Sequence, residues 1–323
     1  MNSRERVLSV INGRTPDRSP YRVDIGPDLH QRLIEAYGAD YDEALGNDPC
    51  QLSQWVRWPN VKYATRGKIG WIDGVLLPDS LDQMDDYPWP DANDPVWYDK
   101  VAEGAAANKA DRVVFSMFPA MMHTLDIFRG CDKFFMDVYD EPVKVEKLLE
   151  KCSAVLEDVA RNMCKLDIDV LMIGDDVSTQ SALLASPQFL RQYIHKYDAR
   201  YAEIARAAGK KVVYHTDGVI PDSLMEILLD DLGIDGIHPM QPTCNDMKAF
   251  ARKYRDKIFV YGGLDNTHTI PDGNEQQIRD HIQQLFDWWG DRIILSSSNI
   301  MGEAKLENVM KLPEIVKDIC AFG

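Results

Sequence analysis

With 323 residues, 45% of them apolar and 27% charged, the chain has ample material for one large buried core and is not composed like a disordered protein. A formal charge of −16 excludes a nucleic-acid surface, which needs clustered Lys and Arg, and equally argues against an anionic membrane. No apolar stretch reaches the roughly 20 residues of a membrane span, and the first six residues lack a signal-peptide core.

Residues 4–12 have the spacing of a short amphipathic helix ended by Gly13. Pro16 and Pro20 bracket a turn into Tyr21–Ile25, the expected first strand, with Asp24 near its end. A helix over 28–45 follows, then a hairpin region at 60–77 around Arg66-Gly67 and Asp73-Gly74. Residues 82–95 form an acidic loop rich in Pro and Trp. From about 112 the rhythm is regular, with a strand at 112–118, a Met-rich loop (117–122) ending at His123, and a long helix at 142–164. A buried strand at 170–174 leads to Asp175 and Asp176, and Ser186-Pro187 opens a helix as cap and first residue. Strands at 212–215, 236–241, 258–265 and 293–299 then alternate with helices at 221–231, 245–253 and 274–289. A terminal helix at 306–321 is expected to break at Pro313.

Alternating strands and helices predict a parallel sheet with crossover helices. The absence of a Gly-rich phosphate loop after an early strand weighs against a doubly wound nucleotide fold. The expectation is therefore α/β: a single (β/α)8 TIM barrel over 1–323. Residues 1–110 form a decorated N-terminal part with helical and hairpin additions, and 111–323 the regular β/α part. Six scattered cysteines without a Cys-x-x-Cys pair suggest reduced thiols in a cytoplasmic protein.

In such a barrel the strand ends meet at one mouth. They supply Asp24, Asp175, Asp176, His215, Asp217, His238, Gln241, Asp265, Asn266 and Ser297 to Asn299. His215 and Asp217, two apart at a strand end, point the same way, and Gly218 permits the sharp turn that follows. Only one of the neighbours Asp175 and Asp176 can face the mouth, and strand parity alone leaves the choice open. Several carboxylates and an imidazole in one cleft need a balancing cation or substrate. Two readings result: a metal site of His215, Asp217 and a further carboxylate such as Asp265, suited to catalytic zinc, or metal-free acid–base chemistry. Met121, Met122, His123 and the tryptophans Trp55, Trp58, Trp71, Trp89 and Trp97 are candidates to pack an aromatic ligand, or ordinary core. A barrel that only binds a ligand is the non-enzymatic alternative.

Several segments, in this order, resemble the uroporphyrinogen decarboxylase superfamily along nearly the whole chain. They include Arg4-Glu-Arg-Val-Leu8, Tyr87-Pro-Trp-Pro-Asp91, Leu125-Asp-Ile-Phe-Arg-Gly130 and Gly174-Asp-Asp-Val-Ser-Thr-Gln180. His215-Thr-Asp-Gly218, Gly233-Ile-Asp-Gly-Ile-His-Pro-Met-Gln-Pro242 and Gly262-Gly-Leu-Asp265 continue the series. The resemblance implies a barrel with its site at the strand C-termini. Decarboxylases of this superfamily carry an Arg-rich N-terminal signature for a many-carboxylate substrate. Tyr21-Arg-Val-Asp-Ile-Gly26 stands in its place, so that lyase activity is the runner-up. The corrinoid-dependent methyltransferase branch holds zinc on a His-x-Cys pair and a later Cys. His215 matches the first ligand, Asp217 replaces the Cys, and Ser296 to Asn299 replaces the later thiolate region.

Ligands of nitrogen and oxygen make a harder, more Lewis-acidic zinc, better matched to an oxygen leaving group than to a thiol. The resemblance thus implies methyl transfer from a small O-methylated donor, such as a methoxylated aromatic, to the cobalt of a corrinoid. With no Asp-x-His-x-x-Gly motif in this chain, the corrinoid would arrive on a partner protein. In that scheme His215 and Asp217, with Asp176 or Asp265, hold zinc or protonate the departing oxygen. Gln241 and Asn299 orient the donor, and Asp24, Met121, Met122 and His123 complete its pocket. A homodimer is left open.

Overall fold

The computed structural model describes the backbone of residues 1–66 and 69–322, and side chains outside 63–72. The expected turn residue Gly67 and the Trp71 side chain lie outside that description.

Eight parallel strands form one curled sheet with helices outside it, a (β/α)8 barrel. They are β1 Tyr21–Arg22, β2 Cys50–Ser53, β3 Val114–Pro119, β4 Val170–Gly174, β5 Lys211–His215, β6 Gly236–His238, β7 Phe259–Leu264 and β8 Ile293–Ser297. Their spatial order is β1-β8-β7-β6-β5-β4-β3-β2. The remaining seam, between β1 and β2, is bridged largely by side chains. Asp48 N–H donates to Tyr21 O (2.9 Å), Tyr21 N–H to Asp48 Oδ2 (3.1 Å) and Val23 N–H to Asn47 Oδ1 (2.9 Å).

Strand side chains alternate between two cores. Inward-facing Phe115, Val170, Met172, Val213, Phe259, Tyr261 and Ile294 fill the barrel. Helix α1 (Ser3–Ile11), fixed by a capping box between Asn2 and Glu5, closes the N-terminal end with Val7, Val10 and Ile11. Burying those three side chains contributes on the order of 5 kcal/mol. Outward-facing Leu171, Ile173, Val212 and Tyr214 pack against the helices instead.

The expected 28–45 helix is two, Pro27–Tyr37 and Tyr41–Leu45, parted at Gly38 where φ is +88°. The hairpin pairs Tyr63–Arg66 with Ile69–Ile72. Residues 121 and 122 are not in a loop: helix α2 spans Met121–Phe128. The terminal helix, α3 here, runs unbroken over Leu306–Ile319 with Pro313 inside it. All six cysteines are unpaired. No helix among the described residues is long and apolar enough to cross a membrane.

Candidate active site at the barrel mouth

At the C-terminal end the inward positions change from apolar to polar. β4 continues through Gly174 to Asp176, β5 ends at His215 and continues to Asp217, and β6 ends at His238. The pleat that turns Met172 and Val213 into the barrel also turns Asp176, His215 and Asp217 into its mouth. Each of these three offers a ligand atom within 4.8 Å of the other two. His215 Nε2 stands 3.9 Å from Asp176 Oδ1, and the Asp217 amide donates to the same oxygen at 2.8 Å. Gly218 takes the chain away at φ +89°, where a Cβ would lie 2.3 Å from Thr179 O. Its amide donates to Gln241 Oε1 (2.7 Å), tying the β6 loop to the turn. Asn299 Nδ2 donates to Asp217 Oδ2 (2.6 Å), whereas Asp217 Oδ1 is enclosed without a partner.

Among the described residues, no Lys or Arg pairs with Asp176 or Asp217. Burial and then the Asp176 charge push the Asp217 carboxyl up to about 7, against the Asn299 hydrogen bond. Burial lowers His215, although Asp176 opposes the shift, so the imidazole is neutral near pH 7. Arg22 reaches into the same end of the barrel but is paired with Asp24 at 2.7 Å.

Other expected residues take different places. Asp175 points out of the barrel and accepts the amides of Met122 (2.7 Å) and His123 (2.8 Å), capping α2. Asp265 accepts from Thr267, His268 and Thr269, and the group of mutually close ligand atoms does not include it. Burial raises the Asp265 carboxyl, but those hydrogen bonds leave it below its usual value. Met121 and Met122 are buried in the outer core. His123 is held below its usual pKa by burial, against Asp176 and Asp126, and its ring lies 5.9 Å from that of exposed Trp55. Trp58 and Trp89 pack around Phe128 as core, and Trp97 is also buried. Two residues without an assigned role in the sequence-based expectation join the mouth. They are His238, whose Nδ1 lies 2.7 Å from His215 Nδ1, and Arg22.

The uroporphyrinogen decarboxylase (URO-D) family model matches residues 113–319. Comparison with curated proteins found no match. Among solved structures, a methyltransferase from Methanosarcina mazei has a TM-score of 0.77 at 15% identity, covering 98% of this chain and 99% of that one. A Listeria monocytogenes protein assigned as a vitamin-B12-independent methionine synthase has a TM-score of 0.50 at 12% identity, covering 96% and 98%. At these identities the likeness is one of fold, and the matched family model carries the assignment. The chain belongs to the uroporphyrinogen decarboxylase family.

Proposed function

We propose that the protein is a zinc-dependent methyltransferase that takes a methyl group from an oxygen of a small methoxylated donor. The methyl acceptor in this reading is the cobalt of a corrinoid carried by a separate protein. The observation that carries the proposal is the convergence of Asp176, His215 and Asp217 within 4.8 Å at the barrel mouth. One imidazole and two carboxylates with an open side suit catalytic zinc, and the enclosed, unpartnered Asp217 Oδ1 is an oxygen in need of a cation. Bound there, zinc would supply Lewis acidity to the donor's ether oxygen.

The chain's own residues prepare the place. Asn299 holds one Asp217 oxygen, Asp176 fixes the Asp217 backbone, and Gln241 holds the turn at Gly218. Gln241 and Asn299 therefore orient the ligands as well as any donor. Trp55 and His123 form an aromatic edge against which a donor ring can pack. Exposed Trp55 and Ile300 leave the mouth with apolar shoulders for the corrinoid protein.

Two other readings meet the same geometry. A carboxyl raised to about 7 is fitted to give a proton to a departing oxygen, so Asp217 is a general acid if the active protein is metal-free. Decarboxylation of a many-carboxylate substrate is disfavoured, because Arg22 is already taken by Asp24 while Asp176 and Asp217 would repel the substrate. The test is to mix the protein with methoxylated aromatics and reduced cobalamin and follow methylcobalamin by its absorption. The proposal expects zinc-dependent formation that His215→Ala removes. Equal formation by that variant contradicts it.

A further inference from the structure

His238 ends β6 facing inward and is 4% exposed. Its ring centroid lies 4.9 Å from that of His215, with the two Nδ1 atoms 2.7 Å apart. Two ring nitrogens at that distance share one proton, so one donates and the other accepts. The His238 ring also packs against that of Tyr261, tilted by 56° with the centroids 4.8 Å apart, while the Tyr261 hydroxyl donates to Gln51 Oε1 at 2.8 Å. Tyr261 thus offers His238 only its ring. His238 Nε2 is enclosed and has no hydrogen-bond partner.

Two arrangements of the neutral pair are available. With His238 as donor, His215 carries its proton on Nε2, toward Asp176, and has no lone pair to offer there. With His215 as donor, its Nε2 lone pair faces Asp176 and Asp217, and the His238 proton sits on the enclosed Nε2.

We propose that His238 is a positioning residue that accepts the His215 Nδ1 proton and so directs the His215 Nε2 lone pair into the cation site. The inference rests on the zinc reading above. Switching between the arrangements conserves protons. One proton lies between the two Nδ1 atoms in both; the other sits on His215 Nε2 in the first and on His238 Nε2 in the second. Outer partners of this kind fix the ring and tautomer of a ligating histidine.

The experiment measures zinc affinity by chelator competition for wild type, His238→Asn, His238→Phe and His215→Ala. Asn places an acceptor oxygen near the Nδ1 position; Phe keeps the ring volume without it. His238→Asn should stay close to wild type, and His238→Phe should bind about 10–100-fold more weakly. Nitrogen NMR of histidine-labelled wild type supplies a readout independent of folding in the variants: zinc should move the His238 proton to Nε2. If His215→Ala loses zinc while His238→Phe binds as wild type does, or if the loaded His238 stays protonated on Nδ1, the inference falls and the zinc reading survives. If wild type itself binds no zinc, both fall.

Discussion

The barrel carries a polar cluster at each end, and the two are built on opposite rules. At the foot, Asp48 is fully buried and accepts from Arg6 (2.7 Å), Arg18 (2.8 Å), Ser3 (2.9 Å) and the Tyr21 amide (3.1 Å). Arg6 also grips Asp17, whose carboxyl that hydrogen bond holds well below its usual range despite burial, and Arg4 pairs with Asp169 at 2.7 Å. This network ties α1 to the β1/β2 seam. At the mouth, Asp176 and Asp217 face two imidazoles held neutral by burial, and the guanidinium Arg22 is paired with Asp24. Charges that serve the fold are answered within the chain. At the mouth, Asp176 and Asp217 have no Lys or Arg partner among the described residues, as the proposed cation site requires.

Substitutions at the two ends should therefore separate stability from function. The largest effect belongs to His215→Ala, which should abolish cobalamin methylation while the urea unfolding midpoint stays near wild type. A large fall in that midpoint would make His215 part of the fold's support. Next, Asp48→Ala removes the buried acceptor shared by Arg6, half-buried Arg18, Ser3 and the Tyr21 amide and should cost about 3–5 kcal/mol in urea unfolding, with zinc affinity unchanged. A loss of zinc binding in that variant would show the two ends to be coupled.

The sign at the mouth is opposite. The Asp217 carboxyl is raised in the folded protein from 3.8 to about 7. Its contribution to the stability of metal-free protein is present below about pH 4 and is lost as pH rises toward 7. The slope is at most about 1.4 kcal/mol per pH unit. Asp217→Asn should flatten that part of the unfolding-versus-pH profile, and an unchanged profile would place the Asp217 charge in water. The smallest effect is expected of Trp55→Ala at the rim, within about 0.5 kcal/mol in stability. Its signature should be a raised KM for aromatic donors, and an unchanged KM would remove Trp55 from the pocket.

Much of this was legible in the residues. His215-Thr-Asp217 put an imidazole and a carboxyl on one side of a strand end because alternation is a local rule. The strand β2 was not foreseen. Its four residues, Cys50-Gln-Leu-Ser53, carry no apolar run, and the seam they border is closed by side chains of Asp48 and Asn47 that no periodicity reveals. The choice between Asp175 and Asp176 was hidden because a parallel strand is apolar on both faces. Asp265 illustrates another limit. A carboxylate followed by Thr267-His-Thr269 reads equally as ligand or helix cap, and sequence does not reveal the Thr267 and Thr269 amides that bond it. His238 stood at a strand end just as His215 did. Its pairing, however, depends on the β5–β6 register, which sets His215 opposite His238.

The most direct test is elemental analysis of purified protein dialysed against zinc and then buffer, for wild type, Asp176→Asn, His215→Ala and Asp217→Asn. A cation site at the mouth predicts one zinc per wild-type chain and sharply less in every variant. A wild-type chain that retains none, or variants that all retain it, would contradict the account.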